Sequence, residues 1–296
     1  MGVFFGLIFM TINQEVLNMD YKTIKSPLNY TGGKYKILNQ IIPHLPSDID
    51  VFVDLFAGGC NVGINVDAKT IICNDIEKGL IDIFKFLQSH DFESVNKLIE
   101  ETIQKFNLNR ENKEGYTELR KSYNSDKNTV EFLTLIFHSF NNQIRFNKKG
   151  DFNLPFGGRT YNENIKKNLK KFIERINEID IKFANKDFKN IIEDLDVANS
   201  FVYCDPPYSL NFTEYNGRHF WSKDDDVDLL NLLDYINEKG GKFALSNVFE
   251  SKGKSNDVLK EWSKKYKVIY IETSYKNCNY IRKNNDKDIE VLIINY

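Results

Sequence analysis

Short apolar runs, each ending in a polar or turn residue and each followed by residues with helical spacing, set the rhythm of this chain. Val51-Phe52-Val53-Asp54 reads as a buried strand entering the glycine-rich turn Ala57-Gly58-Gly59-Cys60-Asn61-Val62-Gly63. Thr70-Ile71-Ile72-Cys73-Asn74-Asp75 repeats the pattern and leads into helical Ile76–Leu80. After Ile181 the rhythm resumes, with strands expected at Phe201–Cys204, Lys242–Asn247, Lys267–Glu272 and Glu290–Asn295 and a helix over Val227–Glu238. Apolar strands alternating with helices predict a parallel sheet. The last two strands suggest a terminal hairpin, whose loop Thr273–Tyr280 either borders a reaction site or is a solvated connection. Helical spacing over Ile37–His44 is broken by Pro43 and Pro46. From about Gln88 to Asp180 the chain is mainly helical and polar, with one apolar helix expected over Val130–Phe140 and a basic, Asn-rich loop after it. This divides the chain into a body (19–87 and 181–296), an insert (88–180) and an N-terminal extension (1–18).

The extension is apolar and aromatic from Met1 to Met10, without Lys or Arg, and polar from Thr11 to Asn18. It is too short to span a membrane and lacks the basic start of a signal peptide. Either translation begins at Met19 or the extension packs on the body. At 296 residues the chain can build one large α/β core plus an insert. A net charge of −2 and a pI of 6.2 exclude a histone-type coat for nucleic acid, but net charge hides local fields. Between Gln143 and Lys171, eight Lys and Arg face only Asp151 and Glu163, and a similar excess lies between Lys252 and Lys287. Such runs are either solvated helix faces or surfaces that neutralise phosphates. Cysteines 60, 73, 204 and 278 form no C-x-x-C pair, and three lie in or beside apolar strands, which fits reduced thiols in a cytoplasm. Histidines 44, 90, 138 and 219 lack zinc-site spacing. Asp224-Asp225-Asp226 suggests a metal-dependent nuclease at first sight, yet Ser222 followed by Asp225 before an apolar run reads as a capped helix start. No metal is expected.

The most specific chemistry lies in Val202-Tyr203-Cys204-Asp205-Pro206-Pro207-Tyr208, where a strand ends in an acid, two prolines and an aromatic ring. An exocyclic amine on a nucleobase or amide gives its lone pair to the adjoining π-system and is a poor nucleophile. The Asp205 carboxylate and the Pro206 carbonyl can accept from both N–H groups and localise that lone pair, while Tyr208 stacks on the ring. Two prolines fix φ and remove N–H donors, so the loop presents carbonyls rigidly. An ordinary Pro-Pro turn is the alternative for this segment alone. The Gly58-Gly59 turn lets backbone approach a ligand closely. Asp75, about 20 residues on, stands where a doubly wound nucleotide site puts its ribose-binding acid; a helix N-cap is its other role.

Two further segments, Pro27-Leu28-Asn29-Tyr30-Thr31-Gly32-Gly33-Lys34 and Arg145-Phe146-Asn147-Lys148-Lys149-Gly150-Asp151-Phe152-Asn153-Leu154-Pro155-Phe156-Gly157, complete a pattern. From roughly Ser26 onward the chain resembles the Dam-type (D12 class, alpha-group) family of site-specific DNA adenine-N6 methyltransferases. The order is the family's: T/A-G-G-K, the F-x-G-x-G loop, an inserted target-recognition region containing R-[FY]-N-x-x-G-x-F-N-x-P-[FY]-G, then D-P-P-Y. The resemblance implies a Rossmann-like class I S-adenosylmethionine-dependent methyltransferase sheet, with residues 88–180 as the target-recognition insert. It implies S-adenosylmethionine as cofactor, bound by Tyr30, Gly32, Gly33, Lys34, Asp54, Phe56, Ala57, Gly58, Gly59, Cys60 and Asn61. Asp75 would hold its ribose, and Asp187-Phe188 would flank its adenine, a strand-to-helix cap being the other reading of that pair. Asp205, Pro206, Pro207 and Tyr208 would receive a flipped adenine, Asp205 also meeting the cofactor. Arg145, Asn147, Lys148, Lys149, Asn153 and Arg159 would contact double-stranded DNA. Asn141-Asn142-Gln143-Ile144 replaces the N-G-x-x that precedes this arginine in GATC readers, so the recognition sequence stays open. A cytoplasmic monomer away from membranes is expected, with a separately acting restriction endonuclease as a partner the family allows. Two rivals are methylation of RNA or a protein glutamine, disfavoured by the Arg145–Gly157 stretch, and a non-catalytic DNA-binding relative, disfavoured because no expected catalytic position is substituted.

Overall fold

A computed structural model describes residues 23–211, 221–272 and 288–296. The N-terminal extension, the Thr273–Tyr280 loop, His219 and Cys278 lie outside these residues. The described chain opens with two 3-10 turns, Lys34–Ile37 and Ile42–His44, around the short helix α1 (Leu38–Ile41). Pro43 sits in the first positions of the second turn, where its missing N–H has no partner to lose. Strands β1 (Ile49–Asp54) and β2 (Ala68–Asn74) follow, then helix α2 (Lys78–Gln88). The insert contributes α3 (Phe92–Lys105), α4 (Lys113–Asp126), α5 (Thr129–His138) and α6 (Glu163–Glu178). The body resumes with β3 (Ile181–Ala184), α7 (Phe188–Ile191), β4 (Ser200–Cys204), α8 (Lys223–Glu238) and β5 (Lys242–Ser251). It closes with β6 (Lys254–Ser255), α9 (Asp257–Ser263), β7 (Lys267–Ile271) and β8 (Ile289–Ile294).

The sheet runs β3-β2-β1-β4-β5-β8-β7, with β6 paired to β5 outside this path. From β3 to β5 every pairing is parallel, and β8 runs antiparallel to both neighbours. This is the expected Rossmann-like class I methyltransferase type of sheet. Parallelism therefore covers the sheet from β3 to β5, and the final hairpin supplies the antiparallel edge. A strand covered on both faces must be apolar on both, and β4 is buried at every position. Its alternate side chains feed two cores: Phe201 and Tyr203 stack on Phe52 on one face, while Val202 and Cys204 join Val53 on the other.

Local chemistry sets the helix starts. Glu77 caps α2 by accepting from the Gly79 N–H at 3.2 Å, so Asp75 does not cap that helix. At α8 the Ser222 hydroxyl accepts from the Asp225 N–H at 3.1 Å and Asp225 accepts from the Ser222 N–H at 2.9 Å, the capping box expected there. Helix α5 stops at His138, two residues before the expected Phe140, because Ser139 turns extended to pair with Phe156, and Asn141 and Asn142 adopt φ of 54°.

The insert has no core of its own. Phe132 of α5 packs on Tyr123, Phe146 and Phe152 at ring separations of 4.7, 5.6 and 5.7 Å. Phe172 of α6 meets Phe84 of α2 at 5.6 Å, and Phe84 meets Phe183 of β3 at 5.2 Å. One apolar cluster thus runs from the sheet into the insert, as far as Phe146 and Phe152. Strand order reverses between β1 and β4, and in a doubly wound sheet that reversal opens a crevice at the carboxyl edge.

Candidate active site

The two strands at the reversal end together, with Asp54 of β1 registered to Tyr203 of β4 and the Leu55 N–H donating to Tyr203 O at 2.9 Å. Past that row the chain leaves the sheet twice, as the turn after Asp54 and as Asp205-Pro206-Pro207-Tyr208. Tyr30–Lys34 forms a third wall, and a cleft lies between them. The third wall is a tight turn closed by the Gly33 N–H on Tyr30 O at 3.1 Å, with Gly32 at φ +81°. Gly58, at φ +49°, packs beneath it, and a Cβ there would stand 2.7 Å from the Tyr30 ring. The two turns fit together only with glycine at that point.

Two carboxylates hold the turns from behind. Asp54, on the cleft wall, accepts from the Gly63 N–H at 3.0 Å. Burial pushes its pKa up to about 7 against the pull of that bond, and nearby Asp205 and Asp75 add to the rise. Asp75 accepts from the Gly58 N–H at 2.9 Å and from the Glu77 N–H at 2.8 Å, tying the turn after β1 to the end of β2. Burial raises it to about 6. Acids whose pKa burial raises at the wall of a cleft are the electrostatic mark of a functional site.

Asp205 faces Lys34. The ammonium lies 2.7 Å from Asp205 Oδ1, with the Lys34 side chain only 6% exposed and that of Asp205 17%. Lys34 Nζ also donates to Gly32 O at 3.0 Å and sits 5.1 Å from the centre of the Tyr208 ring, while the Tyr208 hydroxyl donates to Asp205 Oδ1 at 3.3 Å. Burial works to deprotonate Lys34, but Asp205 chiefly, together with Tyr203 and Glu290, outweighs it and holds the ammonium well above its ordinary range. Burial lifts Asp205, and Lys34 opposes that lift.

Tyr30, Gly32, Gly33, Lys34, Asp54, Phe56, Ala57, Gly58, Gly59, Asn61, Asp205, Pro206, Pro207 and Tyr208 line this one cleft. Cys60, Asp75, Asp187 and Phe188 stand behind its walls. The Cys60 thiol faces Cys73 at 2.8 Å within the core, and burial raises both thiols. Asp187 accepts from the Lys189 N–H at 2.9 Å, the cap of α7. Phe188 backs Phe56 and Trp221 at 5.4 and 5.3 Å. Trp221 lines the cleft, packed against the Phe56 and Phe188 rings, although no spacing in the sequence singles it out. Its Nε1–H donates to Asp226 at 2.6 Å, so the acidic cluster that starts α8 also orients an aromatic wall.

The nominated DNA-contacting residues gather on a hairpin. Phe146 pairs with Phe152, the Asn153 N–H donates to Arg145 O at 3.1 Å, and the Asn147 N–H donates to Asp151 O at 2.8 Å. Asn147 Oδ1 accepts from the Lys149 and Asp151 N–H groups, both at 2.9 Å, so this side chain shapes the turn. Lys148 and Lys149 stand exposed at its tip, and Arg145 and Arg159 are exposed beside it. Arg145 Nε donates to Asn153 Oδ1 at 2.9 Å, which braces the guanidinium. Asn29 Nδ2 donates to Asn141 O at 2.8 Å, joining the approach to this hairpin to the wall that carries Lys34.

Comparison with known proteins shows the family. A sequence profile for D12 class N6 adenine-specific DNA methyltransferases matches residues 30–277. The chain is 42% identical over 280 residues to the Type II methyltransferase M.FokI of Planomicrobium okeanokoites, covering 92% of this chain and 43% of that protein. It is 39% identical to the modification methylase StsI of Streptococcus sanguinis, covering 96% of this chain and 45% of that one. A DNA adenine methylase of Vibrio cholerae is 30% identical, with 74% of this chain and 80% of the relative covered. The chain thus spans less than half the length of the first two relatives and most of the third. The chain belongs to the D12 class of N6 adenine-specific DNA methyltransferases.

Proposed function

We propose that this chain transfers a methyl group from S-adenosylmethionine to N6 of an adenine flipped out of a short duplex sequence, as the modification half of a restriction–modification pair. The observation that carries this is Asp205 at the carboxyl edge of β4, beside the glycine turn after β1 and in the cleft matched to the family. The residues present suit the cofactor. Asp54 offers a buried carboxylate on the wall, and Phe56 and Trp221, with ring centres 5.4 Å apart, offer aromatic surface for a purine and a sulfonium. When bound, S-adenosylmethionine supplies an electrophilic methyl group. Tyr30, Lys34 and the Phe56–Asn61 turn would hold it, with Asp75 bracing the turn through Gly58.

Adenine N6 is buried in a duplex, so the base must leave the stack, at a cost of a few kcal/mol offset within the pocket. Tyr208 takes the stacking role. Asp205 and the Pro206 carbonyl accept from N6, turn its lone pair toward the methyl group and hold the in-line geometry, so rate comes mainly from orientation. The Lys148-Lys149 tip and Arg145 meet the DNA backbone and groove. The enzyme acts as a monomer in the cytoplasm, and the partner endonuclease cuts separately.

Asp205→Ala should lower methylation of DNA by on the order of 10³-fold while DNA affinity stays within about twofold; near-normal turnover in a methyl-transfer assay would refute the assignment. Replacing both Lys148 and Lys149 by Ala should reduce the slope of log affinity against log salt by about two, as two phosphate contacts are lost; an unchanged slope in salt titrations removes the tip from the DNA interface. A cationic cofactor favours ionised Asp54, whose pKa stands near 7 in the free protein. Cofactor affinity should therefore rise with pH through about 6–7 and level off above, with proton release on binding. Calorimetry on Asp54→Asn should find that rise flattened; an identical pH dependence would exclude Asp54 as its source.

A further inference from the structure

Glu290 is an acid beside the cleft that neither cofactor binding nor methyl transfer, as proposed, puts to use. It lies near the start of β8, opposite Val248 of β5 and Ile271 of β7. Successive strand side chains alternate faces. Val291 and Ile293 join the core under α8 and α9, whereas Leu292 and Ile294 join the opposite core with Tyr203, so Glu290 shares the Tyr203 face. Ser246, paired with Leu292, lies on that face too and hydrogen-bonds the Tyr203 hydroxyl at 2.8 Å. The segment that carries Lys34 is laid over this edge and fastened there by Gln40, whose side chain exchanges two 2.8 Å bonds with the Glu272 backbone.

Glu290 Oε2 is buried, and it has no hydrogen-bond partner among the described residues. A buried acceptor left open in this way is a group waiting for a donor. Three charges act on it: burial raises its pKa, Lys34 opposes that rise, and Asp205 and Asp288 add to it. Lys34 is therefore bonded to Asp205 at 2.7 Å and also feels the charge of Glu290, more weakly.

Methyl transfer makes this arrangement consequential. The N6 lone pair forms the new N–C bond, the C–S pair leaves with sulfur, and the nitrogen carries a positive charge until it loses a proton to solvent. An ammonium fixed on Asp205 opposes that growing charge and competes for the carboxylate. We infer that Glu290 is a positioning residue that takes up the Lys34 ammonium when the substrate amine occupies Asp205, keeping the lysine paired while the catalytic carboxylate turns to N6. The four-carbon stem of lysine supplies the rotamer freedom such a shift needs. This deepens the proposed function and rests on it.

The test uses the full chain, labelled S-adenosylmethionine and unmodified genomic DNA from a methylation-free host. Single-turnover rates and separate cofactor and DNA dissociation constants are measured for the wild type, Glu290→Gln and Glu290→Asp. Glu290→Gln should slow the saturated rate about tenfold with both dissociation constants within about twofold, and Glu290→Asp should recover most of that rate. A wild-type rate in Glu290→Gln overturns the inference. So does a loss matched by weaker cofactor binding, which makes Glu290 a cofactor ligand, or an aspartate variant as slow as the glutamine one. A wild-type protein that methylates no DNA overturns the proposed function itself, and the inference with it.

Discussion

An ammonium and a carboxylate 2.7 Å apart, both nearly removed from water, fix the geometry on which the cleft depends. Such a pair contributes little net stability, but stripping away one member leaves an uncompensated buried charge and costs about 3–5 kcal/mol. Its consequence is therefore positional. Lys34 can reach Asp205 only because the Gly32-Gly33 turn folds back on Tyr30, and that turn seats only because Gly58 leaves room for the Tyr30 ring. Asp205 is in place because β4, buried along its whole length, ends there and two prolines stiffen the turn beyond it. Three segments far apart in sequence are thus locked to one another by a charge pair, a glycine contact and the registry of β1 with β4.

The same locking extends to the surface proposed to read DNA. Because Phe132, Phe146 and Phe152 belong to the apolar cluster that begins at the sheet, the basic hairpin is braced on the catalytic body and is not a tethered module. Asn29, five residues before Lys34, bonds the turn that leads into the hairpin. A hairpin and a cleft that share one core hold a fixed distance. Such rigid placement is what an orientation-dominated reaction demands.

Much of this was legible in the sequence because its signals are local. Apolar runs of strand length, an acid at the end of β4, prolines that remove donors and a Ser-x-x-Asp cap each act through neighbouring backbone. The family motifs named most of the residues that line the cleft. What escaped was set by packing between distant segments. Trp221 lies next to a legible cap, yet its place on the cleft wall depends on Phe56 and Phe188, which are remote in sequence. The Lys34–Asp205 bond spans most of the chain, and no spacing announces it. Asn147, expected at the DNA, also shapes its own turn through its side-chain oxygen, a role no motif announces. Glu290 sits in an ordinary strand, and only the sheet order brings it to the edge where Lys34 lies.

The most direct measurement is to express the chain in a bacterial host without DNA methylation and map modified bases across its genome by long-read sequencing. N6-methyladenine confined to one short motif is the predicted result, and it would supply the recognition sequence as well. A genome without any new mark, from cells containing the folded protein, would contradict methylation of DNA by this cleft.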